Sequence, residues 1–450
     1  MRALALECVP SPSVVRALLR DKSDDDVLAS PSAADDALAS SYVSSLDAKL
    51  SALRDELRRA ARPNPTTKRI ESRAKPRIEI IGDKTIAVDT VDADDVVLAW
   101  ACASLVVATH AKTSTGDVPK WSSASASTVA TSMHDECFRN DLKTTLMAFA
   151  GASDEIFRAL EAPRNSFQAS SADTELAAHV AARQLFWYLD YDALQGEKEC
   201  TEAMARMIPC VLRAMDYPSG VVKMYGAVCA ERALKWTMYD WRQGCGSVLL
   251  DALRSALVGA TADVWSHALN ASCALTVIMA NGDDVAKEYR ETFTRILDHA
   301  SLRAADVQYA EPLVASLPLL IANAKICVAS HLKRLLPLLC GYLQSYKDSV
   351  SIGAAKIIAL VIENAWPRIG AHCAAMWPEL KRAYAEADGR SAITSDALRR
   401  ELEHIAELLH LAAGDAFSST WTADADIPAH AESFVEFLRA LPARMVSSGK

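Results

Sequence analysis

Four valines recur along the C-terminal half of the 450-residue chain at an almost constant interval. Val222, Val264, Val307 and Val350 stand 42, 43 and 43 residues apart. Asp263 and Asp306 directly precede two of them and Asp348 lies two before the fourth, which suits a carboxylate that accepts hydrogen bonds from the free amides of a helix start. Pro209 and Pro337 each stand thirteen residues before a member of the series, and Val180, 42 before Val222, is its expected first member. A fixed period of this length means one supersecondary unit repeated, with each unit burying its apolar face only against its neighbours.

Within one unit, Leu332, Leu335, Leu336 and Leu339, followed by Ile352, Ala355, Ile358, Ala359 and Ile362, supply the apolar stripes of two helices. Two helices in 40 to 47 residues is the range of HEAT and armadillo repeats. The expected fold is therefore all-α, a HEAT/armadillo-like α-solenoid of antiparallel helix pairs forming one stack over 173–412. The prolines then kink or start helices and supply curvature rather than a chemical group. Apolar pairs at Leu142 to Ala150 and Leu176 to Leu189 carry the pattern upstream.

Composition agrees. With 16 Gly and 17 Pro against 51% hydrophobic residues, turns that need glycine are scarce, which favours helices over a sandwich or barrel. A net charge of −9 gives no basic field for a nucleic-acid backbone, so nucleic acid is not an expected partner. No two of the 11 cysteines are three apart, which removes the usual zinc knuckle and redox pair. Cys229, Cys273, Cys327 and Cys340 lie in apolar helical runs and read as buried thiols in a reducing compartment. Met1 to Arg20 is broken by Glu7, Pro10 and Pro12 and lacks the apolar centre of a secretory signal. Cytoplasm, with the nucleus as a second site, is the expected location. Val96 to Ala111 and Val264 to Gly282 carry no Asp, Glu, Lys or Arg, but their length and polar residues fit buried helices, so no membrane is expected.

Upstream, 1–61 reads as a helical segment, with an acidic loop at Asp24, Asp25, Asp26, Asp35 and Asp36 ahead of a helix from about Ala37 to Ala61. The range 62–92 reads as a basic, Pro-containing linker followed by a small hairpin between Arg77 and Val91. No aromatic residue interleaves with its charges, so a solvated connector fits better than a phosphate-binding patch. The range 93–172 reads as helical, with loops at Lys112 to Thr128 and Ala162 to Asp173, and 413–450 as a loop and a helix.

No phosphate-binding glycine loop, His-Glu-x-x-His helix or Gly-x-Ser-x-Gly elbow occurs. Gly244-Cys-Gly246 reads as a turn, and Asp283-Asp284 as a cap for the next helix. His404 and His410 are six apart and point to different helix faces. No catalytic residue, metal site or cofactor is expected, and the chain reads as a non-enzyme.

Two segments stand out. In Trp366-Pro367-Arg368 a helix must end near Ala365, because proline disfavours helical geometry in the residue before it; Trp366 is then expected to cover the end of the core and Arg368 to start the next helix. In Met215-Asp216-Tyr217, with Lys223 and Gly226, an aromatic turn meets a lysine and a small residue where two helices can cross closely. A direct partner contact is the alternative for both.

Together these segments resemble the Tel-two-interacting protein Two family, third member of the Triple-T co-chaperone complex, over Glu199 to Ala385. The family usually shows a pair of acids before the tyrosine, where this chain has Met215 and Asp216. The resemblance implies a non-enzymatic α-solenoid subunit that binds the two larger helical-repeat subunits. Through them it would help the ninety-kilodalton heat-shock chaperone mature the phosphatidylinositol-kinase-related protein kinases. Asp216, Tyr217, Lys223, Trp366 and Arg368 would then be the partner-binding residues. The competing readings are an importin-like or other HEAT/armadillo adaptor for protein cargo, or a regulatory subunit of a phosphatase or ligase. Against the cargo groove, Trp236, Trp241, Trp265, Trp366 and Trp377 do not keep the period of the valines.

Overall fold

The computed structural model describes residues 33–59, 79–81, 84–86, 93–112, 121–137, 156–161, 172–189, 200–235, 239–426 and 431–448, with short pieces at 5, 8–10, 119 and 152–153. Asp24 to Asp26, most of the basic linker, and Leu142 to Ala150 lie outside them. The chain divides into two compact units, Met1–Asp240 and Trp241–Lys450. That boundary falls inside the range 173–412 that the spacing assigns to one stack.

The fold is all-α apart from one small hairpin. In the N-terminal unit the helices are α1 (Ala33–Arg59), α2 (Ala93–His110), α3 (Ala124–Cys137), α4 (Ala172–Leu189), α5 (Cys200–Asp216) and α6 (Gly220–Ala233). Strands β1 (Glu79–Ile81) and β2 (Lys84–Ile86) pair antiparallel, with Ile80 opposite Thr85. Helix α1 begins at Ala33, so Asp35 and Asp36 belong to its first turn rather than to a loop. The Ser/Thr-rich loop likewise ends sooner than expected, because Ala124 to Thr128 are already helical.

Every side chain from Trp100 to Ala111 is buried. Such a helix needs partners for its polar groups. Ser104 bonds the Tyr188 hydroxyl, Thr109 Oγ1 accepts from Gln184 Nε2 at 2.8 Å, and the Trp121 indole donates to the Thr109 carbonyl at 3.1 Å. The charge-free run is thus a core helix, as its sequence predicts.

The C-terminal unit comprises α7 (Gly246–Ala256), α8 (Ala262–Ala280), α9 (Lys287–Leu302), α10 (Val307–Ala324), α11 (Leu332–Leu343), α12 (Asp348–Ile369), α13 (Cys373–Glu386), α14 (Ala392–Ala413), α15 (Asp415–Thr422) and α16 (Glu432–Ser448), with a 3-10 segment over Lys325–His331. Their contacts form two rows. Helices α8, α10, α12, α14 and α16 each pack on the next in that order, as do α7, α9, α11, α13 and α15, and several sequential pairs, α7 with α8, α8 with α9, α9 with α10, α11 with α12, α13 with α14 and α14 with α15, pack between the rows. The packing continues past Ala412 to α15 and α16, within the range 413–450 read as a loop and a helix.

The helix starts explain the valine spacing and its one slip. Val222, Val264 and Val350 are each the third residue of a helix and are buried. Val307 is instead the first residue of α10 and half-buried, while Tyr309 takes the buried third place. Only Asp306 caps as expected, its carboxylate accepting from the Gln308 amide at 3.0 Å. Asp263 and Asp348 lie inside their helices, after Thr261 and Lys347 at the cap positions. Asp348 pairs across to Arg390 at 2.7 Å and accepts from Thr394 at 2.8 Å.

Two stretches, Val307–Leu343 and Asp348–Gly389, are long and apolar enough to cross a membrane by length and composition. Each contains two of the packed helices above, and about half of its most apolar window is buried within the unit. Among the described residues nine cysteines are free thiols, seven of them buried. Burial pushes Cys273 and Cys340 up to about 12. Cys327 departs from expectation: it sits half-buried on the 3-10 segment rather than inside an apolar helix.

Candidate functional site

An exposed tryptophan of the C-terminal unit sits where α12 breaks. Ala365 has φ −118° and ψ 18°, outside helical geometry, and the helix resumes through Pro367 to Ile369. The break follows from Pro367, which lacks an amide hydrogen and crowds the turn before it. Ala365 and Ile369 point into the core at 0% exposure, while Trp366 is 59% exposed and Arg368 is exposed. Trp366 therefore does not cover the end of the core, because the two smaller neighbours fill that place. Among the described residues Trp366 and Arg368 make no ring contact, hydrogen bond or ion pair.

The second segment belongs to the N-terminal unit and is mostly structural. Tyr217 is 1% exposed and its hydroxyl lies 3.4 Å from the Thr174 carbonyl, so it is closed to a partner. A Cβ on Gly226 would stand 2.6 Å from the Met215 amide nitrogen; the close α5–α6 crossing expected at that small residue is present. Asp216, at the end of α5, is exposed and Lys223, on α6, is half-buried. Of the five residues expected at a partner surface, Asp216, Lys223, Trp366 and Arg368 remain accessible, two in each unit.

Beside Trp366 lies a feature that the valine register conceals. Leu319-Leu-Ile-Ala-Asn323-Ala324 recurs 41 residues later as Leu360-Val-Ile-Glu-Asn364-Ala365. Asn323 Nδ2 donates to the Leu319 carbonyl and Asn364 Nδ2 to the Leu360 carbonyl, each at 2.8 Å. Both helices stop immediately afterwards, α10 at Lys325 with φ 44° and α12 at its break. A search for repeated hexapeptides, rather than repeated helix starts, would have found the pair.

Arg254 links α7 to α9, its guanidinium donating to Thr292 Oγ1 at 3.0 Å, Glu291 at 2.7 Å and the Glu288 carbonyl at 2.8 Å. Asp283 accepts from the Val285 amide at 3.0 Å and shapes the turn before α9, whose cap position is Ala286. The expected cap is thus a turn contact. Gly246 starts α7 with its amide bonded to the Trp241 carbonyl at 3.0 Å, in keeping with the turn read at Gly244-Cys-Gly246. Among the described residues no three His, Cys, Asp or Glu side chains gather as metal ligands would. No known family model matches the sequence, and no curated protein matches it.

Proposed function

We propose that the chain is a non-enzymatic HEAT/armadillo-like scaffold, an α-solenoid of antiparallel helix pairs, that works by binding other proteins. Its narrower role is that of a Triple-T-type co-chaperone subunit supporting phosphatidylinositol-kinase-related kinases together with the ninety-kilodalton heat-shock chaperone, in the cytoplasm and nucleus. The two-row packing of α7 to α16 supports the repeat reading. The observation that carries the binding reading is Trp366: a large aromatic ring left 59% exposed beside an exposed arginine that has no ion-pair partner among the described residues. Trp and Arg are the side chains most often found at the energetic centres of protein interfaces. The narrower identity rests on the Met215 to Gly226 and Glu363 to Arg368 segments alone.

Affinity purification of the full chain from its own cells, followed by mass spectrometry, tests both levels. Recovery of two larger helical-repeat proteins in constant proportion supports the Triple-T role. Recovery of a phosphatase, a ligase or a transport receptor instead would replace that role while keeping the scaffold. A chain that elutes alone contradicts both.

A further inference from the structure

We infer that the face of α13 formed by Trp377, Lys381 and Tyr384 is a docking site for an acidic, phenylalanine-bearing segment of a partner protein, and that the chain's own Asp424, Asp426 and Phe434 occupy it as an internal stand-in. The inference rests on the protein-binding reading above and adds a second surface to it. The three residues stand four and then three apart on α13, which places them on one side of the helix.

Each of the three holds a piece of the C-terminal segment. The Trp377 indole donates to the Asp424 carboxylate at 2.6 Å, and the Lys381 ammonium donates to the same carboxylate at 2.7 Å and to the Asp426 carbonyl. Phe434, the third residue of α16 and 0% exposed, stacks on both rings. Its centroid lies 5.8 Å from that of Trp377 and 4.4 Å from that of Tyr384, with interplanar angles of 23° and 9°. The Ser433 hydroxyl bonds the Tyr384 hydroxyl, which donates to Glu403 of α14 at 3.1 Å. Phe417 of α15 also meets Trp377, edge-on at 6.4 Å, and the Arg399 guanidinium of α14 lies 4.9 Å from the Tyr384 ring. Both rings therefore have supports that do not depend on α16.

The chemistry of this face selects its ligand. Among the described residues, every hydrogen bond of the Trp377 indole and of the Lys381 ammonium runs to Asp424 or Asp426. With those acceptors away, a cation, an indole donor and two aromatic rings are left together, and donors without an acceptor are costly. Their complement is a carboxylate with a flat ring, whereas a basic segment would be repelled by Lys381. The stand-in is also placed to leave. Helix α16 ends its row, packing on α14 with Glu432, Ser433, Glu436 and Arg439 exposed, so no further helix of the row has to move with it. A tethered segment competes at an effective concentration on the order of 1 mM. A partner segment that makes the same contacts and adds a wider interface displaces it.

The test is fluorescence anisotropy of the full chain with a labelled peptide of its own sequence from Trp421 to Arg439. The Asp424→Ala/Phe434→Ala chain, whose stand-in is released, should bind that peptide at least about tenfold more tightly than the intact chain. Adding Lys381→Glu to the released chain should weaken binding about tenfold, and so should Asp424→Asn or Phe434→Ala in the peptide. A released chain that keeps hydrogen-exchange protection in α12 to α14 and ignores the peptide overturns the inference. So does binding that is equal in the two chains or indifferent to Lys381→Glu. Should the released chain lose that protection, a full chain cut at a protease site placed between Asp426 and Ala431 takes its place: the peptide is expected to displace the α16 fragment, and a fragment that it cannot displace overturns the inference. A silent peptide with partners still recovered from cells removes this site and leaves the scaffold reading; a bound peptide with a chain that elutes alone removes the scaffold reading and leaves the site.

Discussion

The two units are held together in different ways. In the N-terminal unit the buried polar groups are bonded each in a place of its own. His110, wholly buried, lies 2.7 Å from the Cys8 carbonyl, to which the Tyr42 hydroxyl also donates at 2.7 Å. Arg183 donates to the Ala111 carbonyl at 3.2 Å. In the C-terminal unit Thr276 and Thr292 are buried and bond each other at 2.8 Å, but further polar contacts recur between successive repeats. Arg334 reaches Asp298 at 2.8 Å and Arg390 reaches Asp348 at 2.7 Å, each from one repeat to the one before. Exposed pairs of this kind contribute about 0–1 kcal/mol. Repeated apolar burial carries the stability there, and it leaves a period in the sequence that one-off polar bonds do not.

Acid should separate the two. Burial, opposed in part by the Cys8 carbonyl, lowers His110 to about 4, and burial with the nearby Arg183 lowers His179 to about 4. Both imidazoles are neutral in the fold and gain protons first in the unfolded chain. Their contribution is complete above pH 6.5 and is lost as pH falls from there toward 4, on the order of 3 kcal/mol for each. Hydrogen exchange, corrected for its intrinsic rate, should show α2 and α4 losing protection in that window. Unchanged protection would mean that these two rings do not set the stability of the N-terminal unit. His299 and His331 in the other unit are lowered for the same reason, burial, with nearby arginines adding to it, so their variants to Phe provide the control.

A core cut in the repeats comes next. Trp265 is 0% exposed, donates to the Tyr309 carbonyl at 3.1 Å, and lies 4.6 Å from the His299 ring. Trp265→Ala should cost about 3–5 kcal/mol, with protection lost in α8 to α10 and retained in α1 to α6. Loss spread evenly over the whole chain would erase the distinction between the units. Gly226→Ala makes the reciprocal cut. Its Cβ would meet backbone, so α5 and α6 must part at about 1–3 kcal/mol, and calorimetry should show only the N-terminal transition moving. The smallest effect is at a helix start: Asp306→Ala should remove about 1 kcal/mol, whereas Asp263→Ala, which caps nothing, should stay within about 0.5 kcal/mol. Equal losses would contradict the assignment of Asp306 as the one capping aspartate.

How much was legible follows the same division. The helical class and several helix starts could be read because Val222 in the N-terminal unit and Val264 and Val350 in the C-terminal unit mark the same buried place. Val307 misled by two residues, since a turn of different length moved that place to Tyr309. The bonding that lets Trp100 to Ala111 be buried on all sides could not be read, because Gln184 and Tyr188 reach it from a helix more than seventy residues away. At the candidate site, the break at Ala365 and the crossing at Gly226 follow from proline and glycine chemistry. That Tyr217 turns inward and Trp366 outward depends on packing from other helices, which local sequence does not record.

The claim at the centre of this account is that the break in α12 is a protein-binding surface rather than a packing element. Trp366→Ala combined with Arg368→Glu in the full chain tests it directly, by measuring co-elution with the recovered partner alongside thermal unfolding. Both side chains are exposed, so the unfolding temperature should hold within the small range of surface substitutions, while affinity falls by about 2–5 kcal/mol if Arg368 meets a buried acid. Undiminished co-elution, or loss of binding only in step with loss of fold, would contradict the claim.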